Sequence, residues 1–224
     1  MNIGIQWRRT ETACKVKKMS VFIKALAAGV AIGIGATAYM ACDSKIVGAL
    51  LFTVGLFTIC FFKLNLYTGK IGYLLDMSNP MDCLVIWLGN VCGCVLSGLL
   101  LRYALPDVAA TARMITEAKL ELPLLRAGVL GIFCGVLMYV AVHNYSENPD
   151  PFGKCLGVLV CIPAFIICGF EHCIANVVYF TMGMTSVKQL PGVLLMMLAV
   201  TVANGVGAVL FRKLTLAFKK EKVK

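Results

Sequence analysis

The sequence predicts an all-α membrane protein whose six transmembrane helices form two inverted three-helix repeats, with helices 2 and 5 broken. Three observations predict it. The chain of 224 residues is 60% hydrophobic and only 14% charged, whereas a soluble domain carries roughly 25% charged residues. Its apolar residues gather into six runs of about 20 or more, the length that crosses a hydrocarbon core of about 30 Å. Two of those runs are over-long and interrupted by polar residues. The bilayer is therefore the expected solvent, and little of the chain is left over for a soluble module.

Residues 1–20 form a basic N-terminal segment containing Arg8, Arg9, Lys15, Lys17 and Lys18. The apolar run that follows, 21–41, is too long for the h-region of a signal peptide and reads as the first span. The second run, 46–75, contains Lys63, Asn65, Thr68, Gly69 and Lys70; the third covers 82–104. A polar connection from Asp107 to Glu121 leads to the fourth run at 123–143. The fifth, 153–183, contains Pro163, Gly169, Glu171, His172 and Asn176, and the sixth covers 188–211. One channel-sized unit, 21–213, thus precedes a basic tail at 214–224. The net charge of +10 sits mostly at the two ends, which is the positive-inside pattern rather than a nucleic-acid footprint. With an even number of spans, both termini are expected in the cytoplasm, with the chain in the cell membrane.

The interruptions in spans two and five read as broken helices. Backbone that leaves the helix at membrane depth is tolerated only inside protein or along a water-filled cavity, so both breaks point to a pathway. The halves also repeat. Ala28-Gly29-Val30 in span one matches Ala127-Gly128-Val129 in span four, and the Asn-x-x-Gly of Asn90 and Gly93 in span three matches Asn204 and Gly207 in span six. Three spans per half is odd, so the halves are inverted, and such repeats place a binding site near the midplane at their interface.

His172 is the outstanding candidate, because an ionisable side chain deep in an apolar span is a functional hypothesis by default. Imidazole titrates near physiological pH and could either hand a proton to a permeating anion or hydrogen-bond to it. Glu171 would repel an anion, so its expected role is structural: turned away, bonding backbone freed by the break. Asn176 lies one turn on and suits either job. In Leu66-Tyr67-Thr68-Gly69-Lys70, Gly69 is expected to supply the unusual dihedrals of a non-helical turn, and Thr68 to offer its hydroxyl to the pathway or to freed backbone. Lys154, after the Pro151-Phe152-Gly153 turn, either draws anions inward or snorkels to the interface; the same two readings stay open for Lys63 and Lys70. The eleven cysteines contain no C-x-x-C pair and read as reduced packing residues. Neither metal nor cofactor is expected. Nothing supplies a nucleophile with a base and an orienting group, so an enzyme is not expected either.

Leu66-Tyr67-Thr68-Gly69, Gly89-Asn90, Lys154 and the string Gly169-Phe170-Glu171-His172-Cys173-Ile174-Ala175-Asn176 together resemble the formate/nitrite transporter family. The resemblance runs over nearly the whole chain. It implies a homopentamer of aquaporin-like protomers, each with its own pore for small monovalent anions such as formate, nitrite or hydrosulfide, with protons as possible co-substrates. Carried over residue by residue, the central histidine is His172, the loop threonine Thr68 and the vestibule lysine Lys154. The apolar constrictions become Leu56, Leu66, Tyr67 and Phe165. Tyr67, where the family commonly has phenylalanine, adds a hydroxyl expected to change the wetting of its constriction. The alternative is an aquaporin-like neutral-solute pore, which the lack of Asn-Pro-Ala at either break disfavours.

Overall fold

The computed structural model describes residues 3–221, with side chains described over 18–218. It is all helical, in the order α1 (Ile3–Met40), α2 (Lys45–Phe61), α3 (Tyr67–Lys70) with a 3-10 turn at Ile71–Asp76, α4 (Met81–Ala104), α5 (Pro106–Glu121), α6 (Leu124–Glu147), α7 (Pro151–Ile167), α8 (Cys173–Gly183) and α9 (Leu190–Glu221). Four helices among the described residues are long and apolar enough to cross a membrane, within α1, α4, α6 and α9. Shorter pieces, α2 with α3 and α7 with α8, make up the broken second and fifth spans.

The polar stretch expected to be a connection is instead the helix α5. Pro106 sits in its first turn with Asp107 beside it, a favourable start because proline needs no N–H there and a carboxylate complements the dipole. Val108, Ala112 and Thr116, four residues apart, form its buried stripe. Thr116 Oγ1 donates to the Tyr179 carbonyl of α8 at 2.9 Å.

Both breaks differ in detail from expectation. The first falls at 62–66, one turn earlier than the Leu66–Lys70 stretch, which is mostly helical. Gly69 has no positive φ; it is needed for space, since a Cβ there would lie 2.9 Å from Val142 Cγ2. Pro163 lies inside α7 without ending it, and the second break falls at 168–172. Each long arm closes in the same way. Lys63 N donates to Cys60 O and Leu64 N to Ile59 O, at 3.2 and 2.9 Å; Gly169 N donates to Ile166 O and Phe170 N to Phe165 O, at 3.1 and 2.9 Å. This is the Schellman closure, with the C′ residue left-handed: φ is +52° at Lys63 and +69° at Gly169.

The inverted repeat is present, but its first register needs correcting. In both halves the first span packs on the third, α1 on α4 and α6 on α9. A Cβ on Gly29 would run into the carbonyl oxygen of Asn90, and one on Gly135 into that of Asn204. Gly29 therefore corresponds to Gly135, two turns beyond Gly128, around which a Cβ would meet nothing within 4 Å. Small residues recur every turn or two along packed membrane helices, so a three-residue match cannot fix the register. The match of Asn90 with Asn204 does hold.

Candidate functional site

Two buried asparagines hold the breaks. Asn90 Oδ1 accepts from Tyr67 N at 2.8 Å, while its Nδ2 donates to the carbonyls of Ala25 and Asn65, both at 2.8 Å. Asn204 repeats the pattern: Oδ1 accepts from Cys173 N at 2.9 Å, and Nδ2 donates to the carbonyls of Gly131 and Glu171, both at 2.8 Å. Each amide thus satisfies a helix-start N–H, a carbonyl of the break and a carbonyl of the neighbouring span, groups costly to leave unpaired in hydrocarbon. What each clamps is the single residue in between, Leu66 in one half and His172 in the other.

His172 has extended backbone at φ −106° and ψ 113° and caps α8, its Nδ1 accepting from Ala175 N at 3.0 Å. A ring nitrogen that accepts must carry a lone pair, so the proton sits on Nε2. Nε2 lies 3.0 Å from Thr68 Oγ1 and donates to it, leaving the Thr68 hydroxyl hydrogen with no acceptor among the described residues. Thr68 is fully buried and His172 is 2% exposed. Phe165 stacks on the imidazole, with centroids 5.6 Å apart and planes 24° apart, and Phe52 packs edge-on to Phe165.

Glu171 does not bond freed backbone through its side chain as expected; asparagines do that. Its carboxylate takes Lys119 Nζ on both oxygens, at 2.8 and 2.7 Å, and Asn176 Nδ2 at 2.7 Å. Lys119, from α5, had no place among the expected site residues. Asn176 Oδ1 is buried without a hydrogen-bond partner among the described residues, so it keeps an acceptor to offer. Buried ion pairs earn their keep only when well compensated, and here one acid meets an ammonium and an amide.

Two cavities approach this centre from opposite ends. One, about 390 Å³, opens at the end of the bundle where α9 finishes and is lined by Lys63, Lys70, Lys154, Leu66, Gly69 and Tyr145 among others. Asn144 Nδ2, donating to Gly153 O at 2.7 Å, fixes the α6–α7 corner beside it, and Arg212 pairs with Asp76 at the same end. The other cavity, about 150 Å³, reaches His172, Glu171, Asn176 and Phe165 past Tyr39, Lys45 and Lys119. Between them Leu56, Leu66 and Thr68 are closed off from solvent.

The expected residues fall into place unevenly. Lys154 and Leu66 line the first cavity, and His172, Phe165 and Asn176 the second. Tyr67 and Leu56 line neither; the Tyr67 hydroxyl donates to Thr201 O of α9 at 3.2 Å, which ties this residue to that helix. Asn90 and Asn204 mark the repeat in the sequence, and Asn90 also belongs to the family resemblance, but neither is expected to hold a break; their midspan polarity is the signal of this second role. Lys119 gave no signal, because α5 reads as a surface connection.

A family model described as Formate/nitrite transporter matches residues 6–218. Among curated proteins, the formate channel FocB of Escherichia coli is 26% identical over 71% of this chain and 64% of its own length. The formate channel FocA of Haemophilus influenzae is 25% identical over 62% and 54%, and the nitrite transporter NirC of Salmonella typhimurium 28% over 56% and 49%. The chain thus spans less than two thirds of the length of these relatives. Among solved structures, an FNT family ion channel superposes with a TM-score of 0.78 at 22% identity, covering 90% of both chains. A pentameric formate channel with formate bound gives 0.72 at 20% identity, covering 93% of this chain and 98% of that one.

Proposed function

The chain belongs to the formate/nitrite transporter family, and from that premise we propose that it conducts small monovalent anions of weak acids, formate, nitrite or hydrosulfide, across the cell membrane. Relatives named for formate and for nitrite support the class, and the pentameric formate channel supports a homopentamer. The basic ends support a topology with both termini in the cytoplasm.

In this reading Lys154 gathers anions at the cavity on the α9-terminal side, Leu56, Leu66 and Phe165 strip water, and His172 with Thr68 meets the anion between the two cavities. The observation that carries it is the hydrogen bond between Thr68 and His172 with Nδ1 already committed to the α8 cap. A second proton on the ring would oppose the Ala175 N–H. The pair therefore works as a hydrogen-bond donor through the Thr68 hydroxyl, which Nε2–H orients and polarises, rather than by giving the ring proton to the anion. Donors fixed in a dry site offset desolvation of an anion at its costliest point. Asn176, with its unpartnered Oδ1, is suited to accept from a protonated permeant on the far side.

Flux of the three anions into proteoliposomes tests the class: none above empty vesicles sinks it. His172→Asn tests the mechanism, because asparagine keeps the cap but is too short to reach Thr68. It should fold and lose most flux, and full flux of all three anions in this variant rules out the donor role.

A further inference from the structure

Resting on the proposed pathway, we propose that the α9-terminal cavity is also a binding site for multivalent anions, which block the pore from that end. Three observations converge on it. Lys63, Lys70 and Lys154 line one cavity of about 390 Å³ that includes no carboxylate among its lining residues. The cavity at the other end answers its own Lys45 and Lys119 with Glu171, which both oxygens tie to Lys119. The two mouths therefore differ in fixed charge although their backbones repeat.

Lys63 makes the concentration of charge specific. It occupies the left-handed position of the closure after α2, where the matching position after α7 is Gly169. Glycine is the usual residue there and a side chain is strained. Strain retained at one residue is a pointer to function, and what this residue gains over glycine is an ammonium at the cavity. Lys70 likewise stands at the position matching Asn176, one turn past its break, so a cation replaces an amide at the inner wall.

A monovalent anion meeting three ammonium groups is drawn in and moves on. An anion with two or more charges engages several lysines together. It is then held above Leu66 and Thr68, where the chain is closed off and a doubly charged ion meets too high a desolvation cost to pass. The recognisable chemistry is a phosphate-type polyanion. A free polyanion and a lipid phosphate share that chemistry, so vesicle composition separates them.

The test uses purified protein in phosphatidylcholine vesicles, with formate flux measured against pyrophosphate on one side. Pyrophosphate facing the α9-terminal end should block, and from the other end it should not. Lys63→Gly, Lys70→Gln and Lys154→Gln should each raise the half-blocking concentration roughly threefold, and the triple variant by more than about tenfold, as expected of solvated ion pairs. Block should weaken as salt rises. Each value is taken relative to that variant's own uninhibited flux. If phosphatidylglycerol vesicles show weaker block by free pyrophosphate, lipid phosphate competes for the same site; unchanged block assigns it to free polyanions. Calorimetry of pyrophosphate with the detergent-solubilised protein keeps the site testable even if no anion is conducted. Heat of binding lost in the triple variant supports the site, and equal block from both ends, or block and heat unchanged in the triple variant, overturns it.

Discussion

Replacing Asn204 by alanine removes the amide that holds His172 from both sides. The side chain makes three hydrogen bonds of 2.8–2.9 Å, all buried. In membranes such bonds average about 0.6 kcal/mol and in soluble proteins about 1, so the loss should be about 2–4 kcal/mol once three buried groups are left without partners. Asn204→Asp should be worse than alanine despite its similar shape. It keeps the acceptor for Cys173 N but sets a carboxylate oxygen against the carbonyls of Gly131 and Glu171. The same substitutions at Asn90, with the same three partners in the other half, should cost a similar amount. The two sites should part company in transport, because Asn90 clamps Leu66 and Asn204 clamps His172, the donor of the proposed pathway. Unfolding in mixed detergent micelles, followed by fluorescence, measures the stability, and proteoliposome flux the function. Stability within 1 kcal/mol of wild type at both sites would refute the clamp, as would aspartate better tolerated than alanine.

Lys119→Met leaves the Glu171 carboxylate buried with one amide and should cost about 3–5 kcal/mol; adding Glu171→Gln should recover most of it, as read in the same micelle assay. Gly135→Ala, whose Cβ meets the backbone of α9, should unfold the protein at markedly lower detergent, while Gly128→Ala should be neutral; equal effects would contradict the corrected repeat register. Lys63→Gly relieves a left-handed side chain and should stabilise by about 1 kcal/mol, measured as a raised melting temperature. Thr68→Val keeps the volume but not the hydroxyl, and should lower formate flux about tenfold or more with folding intact, the size expected for loss of a charge-assisted bond of about 1.5–3 kcal/mol.

Most of the fold was legible because hydrocarbon leaves few options. Run length gave the spans, and Pro163, Gly169 and the polar residues around them marked the fifth span as broken. Small residues were less informative. Gly29 and Gly128 look alike in sequence, and only the backbone of α4 or α9 against them distinguishes a contact glycine from an idle one. At the site, His172 and Thr68 announced themselves as polar groups inside apolar runs. Tyr67 did not reveal its bond to Thr201, because a tyrosine beside a break carries no sign of the face it turns to. Lys119 was hidden for a further reason. Its helix has the composition of an exposed connection, and its charge becomes a site residue only once α5 folds against α8.

The position of α5 has a consequence of its own. Each three-span half of this protein, turned over, resembles the other, down to the asparagine that clamps it. The backbones of two such halves alone would form a palindrome, so any sense of in and out has to come from the side chains they carry and from what joins them. The helix α5 joins the halves and has no separate helix matching it among the described residues, and through Lys119 it delivers one cation to one side of the centre. The linker thus adds its own asymmetry to the one the repeats already carry in Leu66 and His172.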